Sequence, residues 1–278
     1  MTTFAFTQVD VFTDVALLGN PLAVVHGADA LDGERMQAFA RWTNLSETTF
    51  LLTPSEPAAD YRVRIFTPHR ELSFAGHPTL GSCHAWLEAG GVSRARGETV
   101  QQCAAGLIRI RRNGTRLAFA APQRLRTGPL EGELLARIGK ALALRPEDIL
   151  GHQWVDNGPG WAAVRLRSAE AVLNLQIDWP ALDGFKLGVV GPHAVGHDAQ
   201  FEVRALIGEG AGYEDPVTGS LNASLAQWLI ESGAAPEAYV AAQGTCLQRA
   251  GRVHIVREAG TVWVGGASVS CVRGELTL

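Results

Sequence analysis

The sequence predicts an α+β fold of two similar halves, each a barrel-like antiparallel sheet rolled about one central helix. Three observations carry this expectation. The chain has 278 residues, about twice a typical single-core length, so two domains are expected. The segment His77-Pro78-Thr79-Leu80-Gly81-Ser82 recurs as Asp215-Pro216-Val217-Thr218-Gly219-Ser220, with Pro, Gly and Ser in register at an offset of 138 (His77 to Asp215). The stretches Pro78–Leu87 and Pro216–Ile230 contain no Asp, Glu, Lys or Arg. A helix without a charged face must be buried on all sides, and a sheet wrapped around it achieves that.

Weaker matches keep the same order along the chain. Pro21 of GNPLAVV pairs with Pro159 of NGPGWAA at the same offset, each ahead of an apolar run. Further on, GLIRIRRNGTRLAF resembles GRVHIVREAGTVWV; both read as strand–turn–strand, with turns at Asn113-Gly114 and Ala259-Gly260. The halves are expected as residues 1–122 and 123–278, with the boundary in the turn-rich stretch from Pro122 to Pro129 and a C-terminal strand that can cross from one half to the other.

Each element follows from local pattern. FAFTQVDVF and PLAVVH read as strands. Asp32 opens a helix through Trp42, with Met36, Phe39, Ala40 and Thr43 on one face. TTFLL and YRVRIF are strands, and Pro78 starts the first charge-free helix. WAAVRL and FEVRALI are strands of the second half, and Pro216 starts the matching helix. Proline favours the first helical position, so His77 and Asp215 are expected as the N-caps.

Composition bounds the function. Apolar residues make up 46% and charged residues 19% of the chain, against roughly 25% charged in an average globular protein. A formal charge of −4 suits neither nucleic acid nor an anionic membrane. No apolar run reaches the roughly 18 residues of a membrane span, and MTTFAFTQVDVF lacks the basic and apolar regions of an export signal. Cys83, Cys103, Cys246 and Cys271 have neither metal nor redox spacing, which reads as reduced thiols in a cytoplasmic protein.

The chemistry-bearing candidates cluster at the two proline-led helices. A helix start offers unpaired N–H groups and a partial positive charge, a natural seat for a carboxylate. If the halves pack about a pseudo-twofold axis, one cleft would hold His77, Asp215, Ser220 and two sets of N–H donors. Glu47, in NLSETTFLL, is by itself an ordinary acid at a strand start; beside those groups it suits general acid/base work. His193 and His197 have a His-x3-His spacing in a Gly/Pro-rich loop, but no third ligand is near in sequence, so no metal is expected. His84 reads as a core histidine beside Leu80, Cys83 and Leu87. No dinucleotide, P-loop, nucleophile-elbow or Cys-x-x-Cys motif is present.

Taken together, DVFTDVALLGNPLAVV (10–25), NLSETTFLL (44–52), RIFTPHRELSFAGHPTLG (64–81) and YEDPVTGSLNASLAQWL (213–229) resemble the PhzF-like (phenazine-biosynthesis isomerase) family of the diaminopimelate-epimerase-like fold. The resemblance implies two similar halves with the site between them, no cofactor and a homodimer. It implies an isomerase that moves a proton between carbons of a small carboxylate-bearing substrate, in the phenazine enzyme trans-2,3-dihydro-3-hydroxyanthranilate. By the same resemblance Glu47, His77 and Asp215 are the catalytic residues, while Gly76, Gly219 and Ser220 bind substrate. An amino-acid racemase or epimerase, or a binding protein without turnover, are the alternatives. Two-thiol epimerases carry a cysteine at each helix start, where this chain has His77 and Asp215.

Overall fold

The computed structural model describes residues 1–278 and separates into two compact units, Met1–Ala120 with Gly265–Leu278, and Ala121–Val264. The first unit contains strands β1 (Thr3–Val11), β2 (Asn20–Val25), β3 (Glu47–Leu52), β4 (Tyr61–Phe66), β5 (Glu71–Leu72), β6 (Glu98–Cys103), β7 (Gly106–Asn113) and β8 (Arg116–Ala120). Helix α1 (Gly33–Thr43) lies between β2 and β3, and α2 (Gly76–Glu88) between β5 and β6. Asp32 caps α1 by accepting from the Arg35 N–H, as its position before the apolar stripe predicts.

The second unit contains α3 (Gly132–Ala141), β9 (Gly151–Trp154), β10 (Trp161–Arg165), α4 (Ala169–Leu173), β11 (Lys186–Pro192), β12 (Phe201–Ile207), β13 (Tyr213–Asp215), α5 (Gly219–Glu231), β14 (Ala238–Gln243), β15 (Gly251–Glu258) and β16 (Thr261–Gly266) up to Val264. The last strand, β17 (Ser268–Thr277), pairs antiparallel with β1 along its whole length. The end of the chain therefore belongs to the first unit.

The internal repeat is written in the strand pairing. In the first unit β1–β2 is antiparallel, β2–β3 parallel, β3–β4 and β4–β5 antiparallel, β4–β6 parallel and β6–β7 antiparallel. In the second, β9–β10, β10–β11, β11–β12, β12–β13, β12–β14 and β14–β15 follow the same series of directions. The purely antiparallel sheets of the sequence reading are thus mixed, because α1, α2, α4 and α5 act as crossovers between parallel neighbours. The fold is α+β, and in each unit one helix is buried nearly all round.

In α2 every residue from Gly76 to Cys83 is buried, and in α5 Gly219 and nearly every residue from Leu221 to Ile230. Gly81 lets α2 sit close: a Cβ there would lie 2.6 Å from Leu22 Cδ2 and 2.8 Å from Val11 Cγ2, so those side chains would have to shift. The helix thereby approaches β1 and β2 closely.

Both expected N-caps are displaced. Helix α2 starts at Gly76 with Ala75 as its N-cap, so His77 and Pro78 occupy its first turn. Proline is tolerated there because a first-turn N–H has no helical acceptor to lose. Helix α5 starts at Gly219 with Thr218 as its N-cap, and Asp215 ends β13 paired to Ala205. Pro216 therefore lies in the connection, not at the helix start. Motif register and helix register differ by five residues, since the helix starts Gly76 and Gly219 are 143 apart, not 138.

Candidate functional site

In the first unit the parallel pairing of β2 and β3 sets Leu22 beside Glu47, which brings Asn20 and Ser46 close to the same strand ends. The first turn of α2 delivers His77 to this point. His77 Nε2 lies 3.3 Å from Glu47 Oε2, with the two side chains 6% and 16% exposed. Glu47 is therefore not the solvated surface acid that its local sequence allows. On the other side of the ring, Asn20 Nδ2 donates to His77 Nδ1 at 3.5 Å, and Asn20 Oδ1 accepts from the Ser46 hydroxyl at 3.1 Å.

This arrangement has a direction. The Asn20 carbonyl oxygen accepts from the Ser46 hydroxyl, and the Asn20 amide nitrogen faces His77. Nδ1 is then an acceptor, and the imidazole proton resides on Nε2, the nitrogen 3.3 Å from Glu47 Oε2. Burial lowers the His77 pKa to about 3, so the ring is neutral at physiological pH. A neutral imidazole beside a carboxylate forms no full ion pair that would compete for its charge.

In the second unit Asp215 is buried at the end of β13, and its Oδ2 accepts a 2.5 Å hydrogen bond from the Thr218 hydroxyl. Ser220, in the first turn of α5, accepts at Oγ from Trp161 Nε1 at 3.1 Å. With that lone pair occupied, the hydroxyl proton of Ser220 is available to an anionic group. Its backbone carbonyl accepts from Asn157 Nδ2 at 2.9 Å and from the Ser224 hydroxyl at 3.1 Å. Gly76 and Gly219 are the first residues of their helices, and no side chain caps either one. Their N–H groups thus belong to the anion-attracting first turns.

The structure brings Glu47 and His77 together in one unit and gathers Asp215, Gly219 and Ser220 about one helix start in the other. Sequence reasoning missed Asn20, Ser46, Asn157 and Trp161. A signal existed: Asn20 and Asn157 stand in the two stretches, GNPLAVV and NGPGWAA, that match about Pro21 and Pro159. In each unit that asparagine donates its amide to a residue in the first turn of the buried helix.

The remaining candidates have other surroundings. His84 is not a core residue: it is half-buried, with Nε2 3.1 Å from Ser270 Oγ and 3.3 Å from Glu88 Oε1, which ties α2 to β17. The rings of His193 and His197 stack at 3.8 Å, and His193 Nε2 lies 3.1 Å from the buried carboxylate of Glu202. Cys83 is wholly buried beneath Tyr61 and Thr99, and burial pushes its thiol up to about 12.

Comparison with known proteins places these motifs. The family model described as "Phenazine biosynthesis-like protein" matches residues 9–274. "Antisense-enhancing sequence 1" of Schizosaccharomyces pombe is 34% identical, with 99% of each chain covered. The trans-2,3-dihydro-3-hydroxyanthranilate isomerase of Pseudomonas fluorescens is 36% identical over 231 residues, covering 82% of this chain and 80% of the relative. Among solved structures, a phenazine-biosynthesis PhzF-family protein of Enterococcus faecalis aligns with a TM-score of 0.82, 24% identity and full coverage of both chains.

Proposed function

This chain belongs to the phenazine-biosynthesis-like family, whose relatives include named isomerases, and on that premise we propose that it isomerises a small carboxylate-bearing substrate by moving a proton between two of its carbons. The trans-2,3-dihydro-3-hydroxyanthranilate of the named relative is the first substrate to test. Glu47 is the proton carrier: its carboxylate accepts the proton from one carbon and returns it to another. The observation that carries this reading is the 3.3 Å approach of His77 Nε2 to Glu47 Oε2, with the imidazole oriented from behind by Asn20.

His77, with Nε2 3.3 Å from Glu47 Oε2, flanks the carboxylate and restricts where it can lie. Asp215 engages a polar group of the substrate, and Ser220 with the first-turn N–H groups at Gly76 and Gly219 binds its carboxylate. The racemase alternative is less well supported, because two-thiol chemistry needs thiolates at the helix starts. The one cysteine on α2, Cys83, is buried and held as a thiol. The proposal further takes the protein to act in the cytoplasm as a homodimer without a resident cofactor.

Glu47→Gln tests the assignment, because the amide keeps the shape but cannot accept a proton. Turnover of trans-2,3-dihydro-3-hydroxyanthranilate is expected to fall about 10²- to 10⁴-fold. The affinity for 3-hydroxyanthranilate, a non-reacting analogue, is expected to stay within about threefold, because its carboxylate is assigned to other groups. Wild-type turnover in the variant would assign the proton transfer to another residue.

A further inference from the structure

We propose that Gln243 is a positioning residue for Asp215: through the Thr218 hydroxyl it fixes the orientation of the Asp215 carboxylate. The functional half of this inference rests on the reading of Asp215 given above; the structural half does not.

Gln243 ends β14, is fully buried, and uses its whole amide. Oε1 accepts from the Thr218 backbone N–H at 3.1 Å and from Asn222 Nδ2 at 2.7 Å. Nε2 donates to the Asp215 carbonyl at 3.1 Å and to Thr218 Oγ1 at 3.0 Å. The amide has one satisfactory orientation, since reversing it would set N–H groups against N–H donors and an oxygen against the Asp215 carbonyl.

That orientation determines where the Thr218 proton goes. Thr218 Oγ1 already accepts from Gln243, so its single proton is directed to Asp215 Oδ2, 2.5 Å away. The carboxylate is thus held by a directed, charge-assisted bond whose direction originates 28 residues away along the chain. The following residue makes the approach possible. Gly244 has φ +91°, and a Cβ there would lie 2.7 Å from the Pro216 carbonyl oxygen.

The first unit contains the same device applied elsewhere. Gln101 on β6, the counterpart of β14 in the pairing series, is also fully buried and donates from Nε2 to Thr79 Oγ1 at 3.0 Å. Its Oε1 accepts from the Tyr61 hydroxyl at 2.9 Å, so there it serves interior packing. In the second unit the buried glutamine of the matching strand, two residues further along at its end, reaches the segment that carries Asp215. A role in folding alone does not require the amide to bond both ends of the Asp215–Thr218 turn and to set a hydroxyl proton on a carboxylate.

The test uses Thr218→Val, Thr218→Ser, Gln243→Glu and Asp215→Asn in the full chain, with crystal structures and with steady-state kinetics on trans-2,3-dihydro-3-hydroxyanthranilate. Thr218→Val keeps the side-chain shape without the hydroxyl. It is expected to release the Asp215 carboxylate to another rotamer and to lower kcat about 10- to 100-fold. Thr218→Ser, which retains the hydroxyl, is expected to restore both. Gln243→Glu sets an oxygen against the Asp215 carbonyl and draws the Thr218 proton to itself, so it should reproduce the Thr218→Val loss. Should it fail to fold, the two Thr218 variants still decide. An unmoved Asp215 carboxylate in Thr218→Val overturns the inference. Full activity in Asp215→Asn would instead overturn the reading of Asp215 in the reaction, while the rotamer comparison still decides the positioning.

Discussion

Asn20 and His77, 57 residues apart in sequence, are joined by an amide-to-imidazole hydrogen bond that leaves the imidazole proton on the nitrogen facing Glu47. The bond matters because a buried neutral imidazole can carry its proton on either nitrogen, and only one of those forms has it on the nitrogen 3.3 Å from Glu47. The Ser46 hydroxyl donates to the carbonyl end of the same amide.

Reversing that amide gives the first prediction. Asn20→Asp replaces the donor at His77 Nδ1 with an acceptor, which draws the ring proton to Nδ1 and turns Nε2 into an acceptor facing a carboxylate. Turnover is expected to fall about tenfold, because an unprotonated nitrogen then lies against the Glu47 carboxylate, a loss of roughly 1.4 kcal/mol. Nitrogen-15 NMR of labelled histidine reads the cause directly: the protonated nitrogen of His77 is expected to change from Nε2 to Nδ1. A wild-type spectrum with the proton on Nδ1 would contradict the relay.

The second prediction concerns acid. The His77 pKa lies at about 3 in the folded protein, against 6.5 for an ordinary histidine. Between those values the unfolded chain binds a proton that the folded one does not, so stability rises with pH through this window and is complete above it. Urea unfolding at pH 4 and pH 7 should show a loss at pH 4 on the order of 3 kcal/mol from this group. His77→Asn removes the titration, so its stability should depend less steeply on pH over the same range. Parallel curves for the two proteins would mean that His77 protonates freely when folded.

The strand that carries Asp215 rests on a buried ion pair, and this gives the third prediction. Arg204 on β12 meets Glu214 on β13 at 2.7 Å, with side chains 7% and 4% exposed, and Arg204 Nη1 also donates to the carbonyls of Val172 and Leu175. Arg204→Leu leaves a buried carboxylate without its charge partner and should cost about 3–5 kcal/mol in urea unfolding. Adding Glu214→Leu should restore much of that loss, because the uncompensated charge is then gone. A double variant no more stable than Arg204→Leu would show that the carbonyl contacts, not the charge, dominate.

Removing the last strand is the fourth test. A chain ending at Ala267 lacks β17, which leaves β1 without one of its two partners. It also lacks Ser270 and Arg273, which hold Glu88 at the end of α2 at 2.6 and 2.9 Å. The truncated protein should lose the protection of the β1 amides against hydrogen exchange and aggregate through the exposed edge. Unchanged protection in β1 would show that β17 is dispensable to the first unit.

Much of the architecture is legible in the chain. Alternating apolar residues locate β1, β4 and β12, an aspartate before an apolar stripe locates α1, and two charge-free stretches locate the buried helices. These features are local: a period of two or of 3.6 residues, or a cap, is complete within a dozen positions. The motifs about Glu47, His77 and Asp215 are equally legible, because the family resemblance is carried by contiguous residues.

The sequence by itself determined the doubled α+β plan, the strands, the two buried helices and the family. The tertiary structure alone decided where those helices begin, which partner each site residue meets and where the last strand goes. Asp215 reads as an N-cap because Asp-Pro is a good local start. It ends a strand instead because pairing with Ala205 and the amide of Gln243 hold the Asp215–Thr218 segment outside the helix. His77, Asn20 and Ser46 meet, and β17 returns to β1, through contacts between distant parts of the chain. The physical reason is that backbone periodicity is set by neighbouring residues, whereas hydrogen-bond direction and strand partnership are set by whatever the folded chain brings within about 3 Å.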